Sequence, residues 1–461
     1  MSTLITGAPF PVRLGGTFFS VMAPGCKGSV AVVDSKATNR SGFRKIPLVS
    51  VAPEAEIKVL AHLEIELNPA IGQQSGSRGV GGTEPELIVP VAAGNSYATL
   101  CTDEFDQSVW MFPKTLSAQQ VTFSLPMSEA TSSSGNRGVV TRTMRSLVSV
   151  VSWAVAPAIG NAARTMVAKW EDSKRPYGIF QVKADGTLSE PDWSVITSGP
   201  ALLLIHGTFS TPQVGFAGWL GSSSFHALAE RYGGRVLAFA HPSLSASPQE
   251  NVDWLLAQLP EHIKADTIFD IVSHSRGGLV ARELVSRGDA APKIARVCLV
   301  GTPNDGTPLA DVQHWTTFLN THTSLLNVLP DSSVTVLMEG LLCLVKILGS
   351  SLAGGLPGLA AMDPGSQWLR ECNTVGASTA WYTIGAAYQP DLSSKNMLGR
   401  FNNQAIQGFF AATNDLVVPT EGCHRSIYPP ADTFIPNGGL INHCNYFEFE
   451  DVQTRLTTWL S

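Results

Sequence analysis

Residues 267–285 read TIFDIVSHSRGGLVARELV, and this stretch decides the fold. The apolar run Thr267–Val272 predicts a buried β-strand, because a strand covered on both faces is hydrophobic along its whole length. Residues Gly278–Val285 predict a helix. A strand followed at once by a helix is the repeating unit of α/β proteins, so the sequence predicts a parallel sheet here.

The turn between this strand and this helix carries Ser275. A nucleophilic serine on such a strained turn needs small residues two positions before and two positions after it. Gly277 meets this requirement downstream, whereas Ser273 stands where glycine is usual. Serine is nearly as small as glycine, so we interpret Ser275 as a candidate nucleophile.

The region from residue 177 to residue 461 contains further strands and helices of the same kind. Asn251–Leu259 predicts a helix between two of the strands. Apolar runs that predict buried strands occur at Ala201–Ile205, Val236–Ala240, Val297–Val300 and Trp381–Ile384. Repeated alternation of strands and helices predicts an α/β fold for residues 177–461.

Residues 1–130 have a different character, with short alternating runs separated by glycine, proline and asparagine. Examples are Ser29–Val33, Ala55–Leu60 and Gln120–Leu125. This spacing predicts a β-rich N-terminal domain, for packing or for binding a protein partner. Residues 131–176 are predicted to be a polar linker followed by a helical connector.

The connector includes residues 146–163, which carry no charge. Eighteen uncharged residues reach the lower limit for a helix that spans a membrane. Pro157, Gly160 and Asn161 favour a buried or interfacial helix instead. A peripheral contact with a membrane remains an open alternative.

Composition excludes several classes of protein. The 461 residues have a formal net charge of -6, and we find no long basic run, so nucleic acid is not expected as a partner. Seven dispersed cysteines and an N-terminus without a signal-peptide pattern favour a cytoplasmic protein. Neither zinc-ligand spacing nor a phosphate-binding loop is present, so we expect no metal and no cofactor.

A second motif, His206-Gly207-Thr208, follows the run Ala201–Ile205. With the Ser275 turn, it makes the sequence resemble the lipase-like branch of the α/β-hydrolase superfamily over residues of about 200–455. Three further stretches carry the same resemblance: Gly301–Thr307, Met362–Ser366 and Asn414–Pro419. The resemblance does not extend to the N-terminal 130 residues.

This resemblance implies a mostly parallel α/β-hydrolase sheet, with a helical cap inserted at about residues 308–375. It also implies that the backbone amides of Thr208 and Arg276 form an oxyanion hole. The side chain of Arg276 has two interpretations: it faces an anionic group of the substrate, or it pairs with a carboxylate or reaches water. In the cap, residues 334–348 carry only two charges and are interpreted as part of a buried helix pair or as a lid over an apolar pocket. Residues Gly354–Gly358 would supply flexible joints.

The general base is expected downstream of Ser275. The chain order of the superfamily is serine, then acid, then histidine, and the resemblance places the base at His443. His424 is an alternative, but it follows Asp415 by only nine residues. His314 and His322 fall within the predicted cap.

The acid that orients this histidine is expected at Asp415, which follows the Trp381–Ile384 strand and precedes His443. Two other aspartates are less suitable. Asp305 lies in an Asn-Asp-Gly turn whose composition needs no catalytic explanation. Asp363 precedes a proline and is interpreted as a residue at the start of a helix.

These residues together predict a serine hydrolase that cleaves carboxylic esters through an acyl-enzyme. The hydrophobic composition of the cap favours a lipid or a long-chain acyl ester as substrate. A thioesterase or amidase of the same fold remains an alternative. So does a non-catalytic or membrane-associated binding module on a hydrolase scaffold.

Overall fold

The computed structural model divides the chain into two compact units. The first comprises Met1–Pro157, His322–Asn327 and Leu341–Leu352, and the second comprises Ala158–Thr321, Val328–Gly340 and Ala353–Ser461. The structure describes residues 2–4, 10–14, 17–24, 26–33, 48–69, 84–103, 108–126, 144–155, 161–197, 199–326, 329, 331–352, 355–372, 378–389, 409–410, 412–425 and 429–461.

The first unit is a β-sandwich. Its described residues form the short helix α1 (Leu48–Val51) and the strands β1 (Ser2–Leu4), β2 (Phe10–Leu14), β3 (Thr17–Met22), β4 (Cys26–Val32), β5 (Lys58–Pro69), β6 (Glu86–Pro90), β7 (Asn95–Asp103), β8 (Ser108–Met111), β9 (Thr115–Leu116), β10 (Gln120–Ser124) and β11 (Met144–Ala154). One sheet has the order β1-β4-β5-β11-β7-β8, and the other has the order β2-β3-β6-β10-β9. Residues from both sheets, such as Ile65 and Val89, share one apolar core.

Residues 146–155 do not form the predicted helix. Residues 146–154 lie in β11, which pairs antiparallel with β5 on one side and with β7 on the other. An absence of charge indicates that a segment is buried. A central strand and a buried helix are both buried, so this feature does not distinguish between them. The β-branched residues Val148, Val150 and Val151 favour the strand, and two neighbouring strands satisfy its backbone hydrogen bonds. The next described helix begins only at Ala162.

Residues from the predicted cap region also belong to the first unit. Within the first unit, Trp153 Nε1 donates a hydrogen bond to Ser350 Oγ at 3.0 Å, and Lys346 Nζ donates to the carbonyl of Ala55 at 3.0 Å.

Among the described residues, we find no helix whose length and hydropathy would let it cross a membrane.

The second unit contains a large mixed sheet. Its described residues form the strands β12 (Gly178–Val182), β13 (Leu188–Ser189), β14 (Ala201–Ile205), β15 (Val236–Ala240), β16 (Ile268–His274), β17 (Lys293–Val300), β18 (Ala380–Ile384) and β19 (Asp432–Phe434). Their order in the sheet is β13-β12-β15-β14-β16-β17-β18-β19. From β15 to β19 all neighbours are parallel, whereas β12 is antiparallel to its two neighbours. The α/β class predicted for this region is therefore confirmed.

Helices connect these strands. In chain order after α1, the described helices are α2 (Ala162–Lys174), α3 (Trp193–Ile196), α4 (Pro212–Gly215), α5 (Ser223–Arg231), α6 (Pro248–Gln258), α7 (Glu261–Asp266), α8 (Gly277–Ser286), α9 (Trp315–Leu325), α10 (Asp331–Gly349), α11 (Pro357–Ala360), α12 (Gln367–Glu371), α13 (Thr420–His424) and α14 (Glu450–Trp459). The predicted helix Gly278–Val285 corresponds to α8, and Asn251–Leu259 corresponds to most of α6.

Both faces of this sheet are covered, which explains why the central strands β14 and β15 are apolar along their whole length. In β14, Leu202 and Leu204 face a core that includes residues of α5 and α14. The alternate residues Leu203 and Ile205 face a second core that includes residues of α6 and α8. Since β16 lies in the middle of the sheet, Ser275 follows the end of a central strand.

Candidate active site

Ser275 lies on a strained turn between β16 and α8. Its φ angle is 53°, in the left-handed region, which costs about 1–3 kcal/mol for a residue other than glycine. Its amide donates to the carbonyl of Val300 at 2.8 Å. A Cβ atom at Gly277 would lie 2.3 Å from the carbonyl oxygen of Ile205, so that position requires glycine. A turn strained in this way directs the serine hydroxyl away from the backbone.

His443 lies between Ser275 and Asp415. Its Nε2 atom is 2.8 Å from Ser275 Oγ, and its Nδ1 atom is 2.7 Å from Asp415 Oδ2. The backbone amide of His443 also donates to the carbonyl of Asp415 at 2.8 Å. The structure therefore brings the three predicted side chains into one continuous chain of hydrogen bonds.

Asp415 is fully buried and accepts hydrogen bonds at both oxygens. Its Oδ1 accepts from the amides of Val417 at 3.0 Å and Val418 at 2.7 Å. Burial by itself raises the pKa of Asp415, but His443 and these hydrogen bonds outweigh it and hold the pKa below its usual value. An ionised Asp415 can only accept, so the proton of His443 is placed on Nδ1. The Nε2 atom then carries a lone pair that can accept the proton of Ser275.

Thr208 lies in the loop after β14, next to Ser275. A Cβ atom at Gly207 would lie 2.8 Å from the Cβ of Ser275, so this glycine lets the loop approach closely. Within the described residues, neither the amide of Thr208 nor the amide of Arg276 donates a hydrogen bond. Two amides without an acceptor beside a nucleophile are what an oxyanion hole requires.

The side chain of Arg276 fits neither of the two interpretations made from the sequence. Its guanidinium is completely buried and donates to the carbonyl of Ala246 at 2.5 Å, to Asn251 Oδ1 at 3.0 Å and to the carbonyl of Gly358 at 3.1 Å. Burial lowers the pKa of Arg276 to about 10. The charge therefore holds neighbouring loops together, while only the backbone of Arg276 is a candidate for contact with a substrate.

A family model described as a domain of unknown function, DUF7379, matches residues 173–461. This range is well over half of the chain. The chain belongs to the DUF7379 family. All the residues of the candidate site lie within the DUF7379 region. No curated protein matches the chain.

Solved structures similar to the DUF7379 chain include hydrolases. The mature lipase BlEst2 of Bacillus licheniformis is 18% identical, with 61% of this chain and 94% of that chain covered and a TM-score of 0.34. Lipase 1 of Pelosinus fermentans is 13% identical, with coverages of 53% and 90% and a TM-score of 0.34. Phospholipase PlaB of Legionella pneumophila is 11% identical, with coverages of 57% and 61% and a TM-score of 0.35. A function for the DUF7379 chain therefore depends on the geometry of its own site.

The alternative candidates make other contacts in the DUF7379 region. His424 Nδ1 lies 2.7 Å from Thr383 Oγ1, and the ring of His314 packs edge-on against Phe409. Asp363 Oδ1 accepts from the amide of Gly365 at 2.7 Å, in the turn before α12. For these three residues, the described contacts include none with Ser275.

Three further histidines surround the site and are held neutral. Burial lowers the pKa of His206 to about 4 and that of His274 to about 3, and it lowers the pKa of His241 as well. His274 Nε2 donates to the carbonyl of His443 at 2.8 Å and so supports the backbone of that loop. We expect these three rings to act as uncharged structural groups at neutral pH.

Tyr446 belongs to the site of this DUF7379 protein and was missed in the sequence. Its buried hydroxyl donates to Asp415 Oδ2 at 2.8 Å and accepts from the amide of Ala386 at 2.8 Å. Its place three residues after His443 is the only signal in the sequence that could have drawn attention to it. Tyr446 thus helps to fix the carboxylate that orients His443.

Replacing Tyr446 with phenylalanine should lower the free energy of unfolding by about 1–3 kcal/mol, because the buried amide of Ala386 loses its acceptor. Chemical denaturation would measure this loss. Tyr382→Phe is the matched control, since the Tyr382 ring stacks on Trp459 and its hydroxyl has no hydrogen bond within the described residues. Equal losses in both variants would contradict a role for the Tyr446 hydroxyl.

Proposed function

We propose that this protein is a serine hydrolase of the α/β-hydrolase type that cleaves carboxylic esters. The observation that carries the proposal is the chain of hydrogen bonds from Ser275 through His443 to Asp415, with Ser275 on a strained strand-to-helix turn. A serine hydroxyl becomes a strong nucleophile only when a base takes its proton and a carboxylate holds that base in the right tautomer. The three groups stand in the order and at the distances that this chemistry requires.

In the acylation step, Ser275 Oγ attacks the ester carbonyl carbon and its proton passes to His443 Nε2. Negative charge develops on the carbonyl oxygen, and the amides of Thr208 and Arg276 stabilise it. Asp415 stabilises the positive charge that forms on His443. When the tetrahedral intermediate collapses, the bond to the alcohol oxygen breaks and His443 returns the proton to that oxygen.

In the deacylation step, water replaces the alcohol. His443 takes a proton from the water molecule, whose oxygen attacks the carbonyl carbon of the acyl-enzyme. Collapse of the second intermediate breaks the bond to Ser275 Oγ, which recovers its proton from His443. The products are a carboxylic acid and the free enzyme.

A long acyl chain is the substrate that we favour. Thr208 Oγ1 lies 3.8 Å from Met362 Sδ, and the adjacent Phe209 packs against Phe318. A Cβ atom at Gly340 of α10 would lie 2.8 Å from the Phe209 ring, so this apolar helix also borders the loop. Apolar side chains beside the oxyanion loop suit an acyl chain better than a charged one.

The proposal can be tested with a fluorophosphonate probe and a panel of esters. We expect one covalent adduct per chain, located at Ser275 by peptide mass spectrometry. With p-nitrophenyl esters from acetate to palmitate, kcat/KM should rise by about fourfold per methylene until the pocket is filled.

The same acyl chain offered as a thioester and as an anilide would test the leaving group. Faster turnover of either than of the ester would assign the enzyme to thioesters or amides instead. Absence of both labelling and ester turnover would contradict the proposal and favour a non-catalytic binding module.

A further inference from the structure

Glu171 of α2 is a buried carboxylate outside the predicted hydrolase region. Only 1% of the residue is exposed. Its Oε1 accepts from the amides of Ser243 at 2.7 Å and Leu244 at 2.9 Å. Its Oε2 accepts from Ser245, from the amide at 2.9 Å and from the hydroxyl at 2.5 Å. Burying a charged carboxylate costs free energy. Its four hydrogen bonds to one short loop offset this cost and indicate that Glu171 holds the loop in place.

The loop that Glu171 binds, residues 243–245, is hydrogen-bonded to the segment that follows Thr208, one of the two candidate oxyanion donors. While the amide of Ser243 donates to Glu171, the Oγ of Ser243 accepts from the amide of Phe209 at 3.1 Å. Phe209 directly follows Thr208 and has a φ angle of 59°, in the left-handed region. A strained residue keeps such a backbone only when its surroundings hold it there.

Arg276 holds the same loop from its carbonyl side. Its guanidinium donates to the carbonyl of Ala246 and to that of Gly358, whose amide in turn donates to Leu244 at 2.9 Å. Residues 243–246 are therefore held from two sides. The Glu171 carboxylate accepts from their amides, and the Arg276 guanidinium donates to the carbonyl of Ala246. Arg276 is also the residue that supplies the second candidate oxyanion amide.

We propose that Glu171 is a positioning residue for the oxyanion hole, acting through residues 243–246 on the backbone at Thr208. This role rests on the proposed function. Oxyanion stabilisation depends on donors that are held in place before the charge develops, and misplacement by about 1 Å can cost 100-fold in rate. Glutamine at this position would turn amide hydrogens toward the loop amides and would loosen the loop.

We therefore expect Glu171→Gln to lower kcat by about 10- to 100-fold, with KM changed by less than about threefold. Rates are expressed per site labelled by the fluorophosphonate, so unfolded protein does not count. Affinity for a trifluoromethyl ketone, which forms a tetrahedral oxyanion on the serine, should fall in proportion to kcat/KM.

A double-mutant cycle tests the route. Ser243→Ala removes the acceptor of the Phe209 amide and leaves the backbone bonds to Glu171 in place. If Glu171 acts through Ser243, the double variant should be slower than Glu171→Gln alone by less than about threefold. Asp270→Asn is the matched control, because Asp270 is also a buried carboxylate, bound to the Tyr232 hydroxyl at 2.6 Å. It should lower stability and leave kcat per labelled site unchanged.

Unchanged kcat per labelled site in Glu171→Gln would overturn this role and leave the proposed function intact. If Glu171→Gln does not fold, the same measurement is made on Ser243→Ala, and an unchanged kcat per labelled site in that variant would overturn the role. Absence of labelling in the unaltered protein would instead contradict the proposed function, and the role of Glu171 with it.

Discussion

Replacing Ser275 with alanine is expected to lower kcat for the preferred ester by about 10⁶-fold, the loss that removal of a triad nucleophile causes. Alanine keeps the Cβ atom and therefore the strained turn, but it removes the oxygen that attacks the carbonyl. His443 then has no proton to take from the protein. What remains is the slow attack of water, aided by the oxyanion donors.

Steady-state kinetics and fluorophosphonate labelling would measure this loss. Ser273→Ala is the matched control, because Ser273 is buried only two residues upstream and its Oγ donates to the carbonyl of Cys298 at 3.3 Å. We expect it to keep kcat within about threefold, since it changes only one structural hydrogen bond. Turnover retained in Ser275→Ala would show that another group carries the reaction.

Replacing Asp415 with asparagine is expected to lower kcat by about 10⁴-fold while the fold is retained. The side chains have the same shape, but the amide group of asparagine can donate where Asp415 Oδ2 accepts. If that group faces His443, the proton of the ring moves from Nδ1 to Nε2. A histidine protonated at Nε2 cannot accept the proton of Ser275, so the nucleophile is no longer activated.

Asp305→Asn is the matched control for this variant. Asp305 was the other aspartate close to a predicted strand end, and we expect its replacement to change kcat by less than about threefold because it lies outside the hydrogen-bond chain. Thermal denaturation would show whether each variant is folded. If Asp305→Asn were the inactive variant and Asp415→Asn the active one, the assignment of the acid would be wrong.

The strands of the second unit could be predicted closely from the sequence. Ala201–Ile205 and Val236–Ala240 have the same bounds in the structure as in the apolar runs, because both faces of this sheet are covered. Residues 146–163 show where such reasoning fails. A lack of charge reports burial and not conformation, and only the pairing of β11 with β5 and β7 settled the question.

The candidate site also contains some residues that the sequence indicated and others that only the structure revealed. The turn at Ser275 is visible in a few consecutive residues, since a serine between a strand and a helix needs small neighbours there. His443 lies 168 residues further along the chain, and only the chain order of a known superfamily pointed to it. Glu171 carried no local signal, and Tyr446 had only its place three residues after His443, because each acts on groups that come from a distant part of the sequence.

By itself, the sequence determined the central strands of the second unit, the helices α6 and α8, and which serine stands on the turn between β16 and α8. These properties follow from periodicity and residue size over ten or twenty residues. Only the tertiary structure decided that Arg276 turns its charge inward, that Asp415 is held by four hydrogen bonds, and that Glu171 holds the loop beside Thr208. Such contacts depend on how strands and helices pack, which places side chains within 3 Å of each other regardless of their distance along the chain.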